Sequence, residues 1–103
     1  MNIATIINEL NLQIKAKYND FRGSYLFGSL AKGNYNKDSD IDIVLIFDEI
    51  NRDKQLDVYG IIGELNYKYD VIIIGMLYTK KQLKKNCIFY DEVVNKGVYY
   101  NAA

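Results

Sequence analysis

The sequence contains no histidine, no proline and no tryptophan, and it has a single cysteine, Cys87. Without histidine, neither a Ser-His-Asp triad nor a Cys-His pair can form, and every histidine-containing metal site is excluded. Acid–base chemistry must therefore use carboxylates, lysine or tyrosine. A lone cysteine excludes an intrachain disulfide and a thiolate zinc cluster, which suits a reducing compartment. We expect Cys87 to be a small core residue.

The chain also lacks an excess of charge and a long apolar run. Thirteen basic residues balance 13 acidic ones, so the broad positive surface needed for stable nucleic-acid or membrane binding is not expected. The longest apolar run, Val71 to Tyr78, is far below the roughly 18 residues of a membrane helix. Polar residues interrupt the N-terminal apolar stretch, unlike a signal peptide. The sequence therefore predicts a cytoplasmic protein that holds any phosphate locally.

What is present fits one globular domain, residues 1–103. Half of the residues are hydrophobic and a quarter are charged, as in soluble domains that bury a core. A chain of this length can fold without disulfide or metal crosslinks.

Hydrophobic periodicity predicts helices and strands in alternation. Helical spacing covers about the first 18 residues, the region of residues 56–65 and roughly Thr79 to Asn95, where Leu83, Cys87, Tyr90 and Val94 share a face. The predicted strands are Ser24 to Phe27, Asp40 to Phe47 and about Tyr69 to Gly75.

This alternation predicts an α/β (α+β) fold with a mixed sheet of three strands, or four, flanked by helices. The connection from Ser29 to Ser39 is short enough for antiparallel neighbours. The helix between the second and third strands permits a parallel crossover.

Gly28 and Ser29 directly follow the first predicted strand. Glycine lets the backbone approach a ligand closely, and the amides of a helical turn starting at Ser29 could bind phosphate oxygens. The alternative is an ordinary turn with a helix cap.

Asp40 and Asp42 stand at the start of an otherwise apolar strand. Residues two apart on a strand face the same way, with Cα atoms about 6.5 to 7 Å apart. Such carboxylates repel each other unless they are solvated, protonated or bound to a cation, and Mg²⁺ favours carboxylates together with substrate phosphates. A solvated strand end is the alternative.

Asp70 is a third candidate for a carboxylate that binds the cation, because it stands alone before an apolar run. If the third strand neighbours the second, Asp70 can face the same site; otherwise it marks a strand end. The remaining acids, among them Asp48, Asp91 and Glu92, have the pattern of ordinary solvated charges.

The combination of Gly28-Ser29, ten intervening residues and Asp40-Ile41-Asp42 resembles the signature of DNA polymerase β-type nucleotidyltransferases, above all their minimal branch. The likeness extends over nearly the whole chain. It implies that Gly28 and Ser29 hold the β- and γ-phosphates of ATP and that Asp40 and Asp42 bind two Mg²⁺ ions. Asp70 would be the third carboxylate. Lys32 stands where many members have arginine, and lysine lacks the planar fork for a bidentate phosphate contact.

Minimal nucleotidyltransferases of this kind commonly accompany a HEPN-domain toxin. The resemblance therefore implies an antitoxin that transfers AMP to a tyrosine of a HEPN toxin and forms a hetero-oligomer with it. Two alternatives stay open: transfer to a small hydroxylated molecule such as an antibiotic, and neutralisation by binding alone. Tyr99 and Tyr100 are the preferred candidates for a partner interface.

Overall fold

The computed structural model describes residues 2–33 and 40–102. The described residues form one mixed sheet with helices on both faces. In chain order the elements are α1 (Ile3–Lys17), β1 (Phe21–Phe27), β2 (Ile41–Phe47), α2 (Arg52–Tyr69), β3 (Ile73–Tyr78), α3 (Lys80–Lys84), α4 (Cys87–Tyr90), a π-helix (Asp91–Asn95) and β4 (Val98–Asn101).

The four strands lie in the order β3-β2-β1-β4. Strand β1 pairs antiparallel with both β2 and β4, whereas β2 and β3 are parallel and are joined by α2. The predicted α/β fold with a mixed sheet is confirmed, and the fourth strand is β4, which contains Tyr99 and Tyr100. A role for this tyrosine pair in a partner interface stays a prediction.

Successive side chains of β2 point to opposite faces of the sheet and so contribute to two separate hydrophobic layers. Ile41, Ile43 and Leu45 face the larger layer, which α1 and α2 cover. Val44 and Ile46 face a smaller cluster with Leu83 and Val93. By the same alternation Asp42 lies on the face of the smaller cluster, near the end where β2 begins.

Several predicted strand boundaries were wrong. Strand β1 begins at Phe21 rather than at Ser24, and β3 ends at Tyr78 rather than at Gly75. The third strand begins at Ile73 rather than at Tyr69, because α2 continues to Tyr69, which packs against the larger layer. Asp70 then ends the helix with the left-handed φ of 53°. Left-handed residues of this kind are common at helix ends.

The predicted last helix is divided into α3, α4 and the π-helix. The Asn86 side chain accepts a hydrogen bond from the Phe89 amide at 3.1 Å, so a new helix begins there. Cys87 is its first residue and is exposed. The prediction of a core cysteine was wrong because the break removes the helical face that Cys87 would share with Leu83.

No helix in residues 2–33 and 40–102 is both long enough and apolar enough to span a membrane.

An ion pair between Lys54 of α2 and Asp20, which precedes β1, lies at the far end of β2. The Lys54 side chain is buried and Asp20 is partly exposed. The ammonium group of Lys54 lies 2.7 Å from a carboxylate oxygen of Asp20 and 2.7 Å from the carbonyl oxygen of Glu49. It also lies 4.9 Å from the centre of the Phe47 ring. Burial acts to raise the pKa of Asp20, but the hydrogen bonds from Lys54 and from the Glu49 amide outweigh it, so the pKa is lowered.

We expect Asp20→Asn to lower the free energy of unfolding by about 2–3 kcal/mol, because it leaves the buried ammonium group of Lys54 without its counter-charge. Lys54→Met should lower the free energy of unfolding by less than Asp20→Asn does, since the Asp20 carboxylate that it leaves unpaired is partly solvated. A depressed carboxyl pKa contributes stability above the unfolded-state pKa and loses it as pH falls through the folded-state value. Urea unfolding between pH 7 and pH 3 measures both effects. Equal stability of the Asp20→Asn variant and the parent protein would contradict this assignment.

Candidate active site

The turn after β1 has the form predicted from Gly28 and Ser29. Gly28 adopts a positive φ of 76°. The amides of Lys32 and Gly33 then donate to the carbonyls of Ser29 and Leu30, each at 3.2 Å. The buried side chain of Leu30 anchors this turn to the core. The first amides of a helical turn have no partner within it and can bind an anion.

Gly28 lies directly against Asp42. The antiparallel register pairs Phe27 with Asp42, which brings the residue after β1 beside the start of β2. A Cβ atom on residue 28 would lie 2.7 Å from Oδ2 of Asp42. The positive φ favours glycine at this position, and a methyl group there would displace the Asp42 carboxylate.

The two acids of the Asp-x-Asp motif repel each other electrostatically. Burial, and then the charge of Asp40, raise the pKa of Asp42. Asp42 is half-buried, while Asp40 is exposed immediately before β2. Neither carboxylate forms an ion pair within the described part of the chain. Two hard oxygen donors that lack a counter-charge fit a divalent cation such as Mg²⁺.

Asp70 is not brought together with this pair. Residues 2–33 and 40–102 contain no cluster of three acidic, cysteine or histidine side chains that could hold a metal. Asp70 precedes β3, and the residue of β3 in register with Asp42 is Ile74. The expectation that Asp70 opens a strand beside Asp42 is therefore corrected. The loop containing it is nevertheless near, because the Ile72 carbonyl accepts a hydrogen bond from the Ile41 amide at 2.8 Å.

Lys32 lies at the end of the Gly28 turn and forms an ion pair with Glu92 of the π-helix at 2.8 Å. Glu92 also lies 3.9 Å from Lys96. From the sequence we interpreted Glu92 as an ordinary solvated charge, because no local pattern connects it to Lys32, 60 positions earlier. Part of the predicted motif region, residues 34–39, lies outside the described residues.

The sequence profile of the nucleotidyltransferase domain family matches residues 7–100. Together with the sheet, the Gly28 turn and the Asp40-Asp42 pair, this match shows that the chain belongs to the nucleotidyltransferase family and is an enzyme of that class.

Particular relatives make the likeness more specific. Over 100 residues the chain is 35% identical to the Methanocaldococcus jannaschii protein named "Putative protein adenylyltransferase MJ0141", covering 95% of this chain and 98% of the relative. Two solved structures share the fold. One is a toxin–antitoxin complex with AMP-PNP (TM-score 0.67, 19% identity, 95% of this chain and 72% of that chain). The other is a tri-AMPylated Shewanella oneidensis HEPN toxin with its MNT antitoxin (TM-score 0.56, 15% identity, 94% and 71%).

Gly28→Ala and Gly33→Ala form a matched pair of tests. Both glycines have positive φ, but a Cβ on Gly33 would meet no atom within 4 Å. Each substitution should cost about 1 kcal/mol or somewhat more of stability for the strained backbone. Only Gly28→Ala should also abolish stabilisation of the fold by added Mg²⁺, since its methyl group displaces the Asp42 carboxylate. Thermal unfolding with and without Mg²⁺ separates the two effects. Identical Mg²⁺ responses in both variants would contradict the proposed contact.

Proposed function

We propose that this nucleotidyltransferase transfers AMP from ATP to a tyrosine hydroxyl of a HEPN-family toxin and so acts as the antitoxin of the pair. The observation that carries the proposal is the half-buried Asp42 carboxylate held against Gly28 beside Asp40. The adenylyltransferase name of the archaeal relative supports ATP as the substrate and a protein as the acceptor. The toxin–antitoxin structures that share the fold support the partner.

In the proposed reaction the acceptor oxygen attacks the α-phosphorus of ATP, the bond from that phosphorus to the bridging oxygen breaks, and pyrophosphate leaves. Backbone amides of the turn that begins at Ser29 bind the β- and γ-phosphates. Because Gly28 has no side chain, these phosphates can come close to the backbone. The acceptor proton passes to a nearby carboxylate or to solvent.

Asp40 and Asp42 would hold Mg²⁺, which neutralises phosphate charge when bound. Their position at the start of β2 places them across from the end of β1, where the turn binds the phosphates. Their mutual repulsion becomes useful here, because a pair of carboxylates without a counter-charge binds a cation more strongly than a pair already neutralised by lysine or arginine.

Lys32 is proposed to contact the triphosphate from the same turn. In the structure its ammonium group is paired with Glu92, so phosphate must replace a carboxylate as its partner. The pair is partly exposed, with 51% of the Lys32 side chain accessible. Ion pairs of this kind contribute about 0–1 kcal/mol, so the exchange costs little.

The central test is transfer of label from α-labelled ATP with Mg²⁺ to the product of the neighbouring gene, which the proposal expects to be a HEPN-family protein. Asp40→Asn and Asp42→Asn should each lower the initial rate about 100-fold or more, as expected when several kcal/mol of charge stabilisation are lost. Asp42→Asn should not destabilise the fold, because burial and Asp40 already disfavour the charged form.

Glu64→Gln provides the charge-matched control, since Glu64 is exposed on α2, on the opposite face of the sheet. It should leave the rate unchanged. If the HEPN protein stays unlabelled yet is inhibited equally well by the Asp40→Asn, Asp42→Asn double variant, binding alone explains neutralisation. If label appears only on a small hydroxylated molecule, the acceptor is wrong.

Asp70→Asn tests the third carboxylate separately. Asparagine tolerates the left-handed conformation, so the end of α2 should be preserved. Because the structure does not group Asp70 with Asp40 and Asp42, we expect the transfer rate to change by less than about threefold, the scale of a single weak electrostatic contact. A loss as large as that of Asp42→Asn would establish Asp70 as a member of the site. Initial rates at saturating and limiting Mg²⁺ provide the measurement.

A further inference from the structure

A cavity of about 390 Å³ lies on the same face of the sheet as Asp42 but at the opposite end of the strands. From Asp42 to Ile46, which lines the cavity, β2 advances four residues, or about 13 Å. We call this cavity the basic pocket and define it by three cationic and three phenolic residues. These are Arg22, Lys80, Lys84, Tyr25, Tyr90 and Tyr99.

Packed side chains separate the basic pocket from the candidate active site. Val44 is fully buried between Asp42 and Ile46 along β2, and it packs in the smaller cluster with Leu83 and Val93. On β1, the Phe27 ring packs edge-on against Phe89 with ring centres 5.4 Å apart. The basic pocket is therefore a separate site.

The pocket is positively charged. None of its nine lining residues is acidic. Arg22 is paired with Asp48, its Nε donating to Oδ1 at 2.9 Å, but Lys80 and Lys84 form no ion pair within residues 2–33 and 40–102. Residues four apart on a helix lie on one side. Both lysines thus face the same cavity. The Asp48 carboxylate interacts electrostatically with Lys80 as well as with Arg22, but the three cationic groups that line the cavity outnumber it.

Rings and aliphatic side chains form the rest of the wall. The rings of Tyr25 and Tyr99 lie 4.9 Å apart, and Ile46, Leu83 and Val94 complete an apolar floor. Burial, and then the neighbouring tyrosines, raise the pKa of Tyr25, so its hydroxyl stays protonated and can donate a hydrogen bond. Cationic groups beside an apolar floor suit a ligand that combines an anion with a ring.

Both sides of the pocket are held by local structure. Thr79 and Gln82 form reciprocal hydrogen bonds of 3.1 Å that cap α3, the helix that carries both lysines. On the sheet, the register of β1 against β2 shifts between Phe21 and Gly23, and such bulges re-aim neighbouring side chains. The Tyr99 hydroxyl donates to the Arg22 carbonyl there. The backbone segments that carry the lining residues are therefore fixed by local hydrogen bonds.

We propose that the basic pocket binds an organic anion in which an aromatic ring carries a phosphate or carboxylate group. Lys80 and Lys84 bind the anionic group, and the ring packs on Tyr25, Tyr99 and the apolar floor. This site is independent of the AMP-transfer reaction proposed above and of the carboxylates that would hold Mg²⁺.

The test is a titration of the full-length, ¹⁵N-labelled protein with phenyl phosphate, benzoate and inorganic phosphate, followed by amide chemical shifts. Saturable shifts should concentrate at Tyr25, Tyr99 and α3 for at least one aromatic anion. Which of the two aromatic anions binds more tightly identifies the anionic group. Inorganic phosphate should bind at least about tenfold more weakly, because burial of a ring on the apolar wall contributes more than 1.4 kcal/mol.

Lys80→Gln with Lys84→Gln should weaken binding about tenfold or more, since both charged hydrogen-bond donors to the anionic group are lost. Lys81→Gln with Lys85→Gln is the matched control. It makes the same charge change in α3 and at its C-cap, at exposed residues that do not line the pocket. Asp40→Asn with Asp42→Asn should leave binding unchanged. Equal weakening by both lysine pairs, equal affinity for inorganic phosphate, or absence of saturable shifts would each overturn the proposal.

Discussion

The antiparallel pairing of β1 with β2 is the constraint on which the candidate active site depends. It places Gly28 against Asp42, although 13 residues separate them in sequence, and it brings the turn that begins at Ser29 beside the two carboxylates. The hydrophobic core supports this pairing from both sides, because β2 is buried from Ile43 to Phe47. A carboxylate would be unstable in the middle of such a strand. Its position at the start of β2 allows half-burial and access to a cation.

Local sequence information was sufficient for this part of the molecule. The Gly28 turn, the strand that begins at Ile41 and the first helix each follow from residue types within a few positions. Strand alternation predicts Asp40 and Asp42 on one face; in the structure Asp42 belongs to β2 and Asp40 immediately precedes it. The strand directions could not be predicted in this way, since both antiparallel and parallel pairings are compatible with the same local pattern.

Contacts between distant residues explain where prediction failed. Helix α2 extends to Tyr69 because the Tyr69 side chain packs against the core, and this moves Asp70 to a helix end rather than a strand. Cys87 is exposed because Asn86 starts a new helix. The pairing of Lys32 with Glu92 required knowledge of how the π-helix crosses β1. In the first and third cases tertiary packing decided between local alternatives. The Asn86 cap is instead a local signal, which the hydrophobic periodicity of the predicted helix did not include.

The basic pocket and the Asp40-Asp42 pair occupy opposite ends of one face of the sheet, in a chain whose formal net charge is zero. These groups give that face an electric dipole moment along β2, with an excess of positive charge at one end and of negative charge at the other. From Asp42 to Ile46, which lines the pocket, β2 advances about 13 Å, more than the screening length of about 8–10 Å near physiological salt. At that salt each end presents its own charge to an approaching molecule. At low salt the two act together, and a charged partner would be oriented before contact.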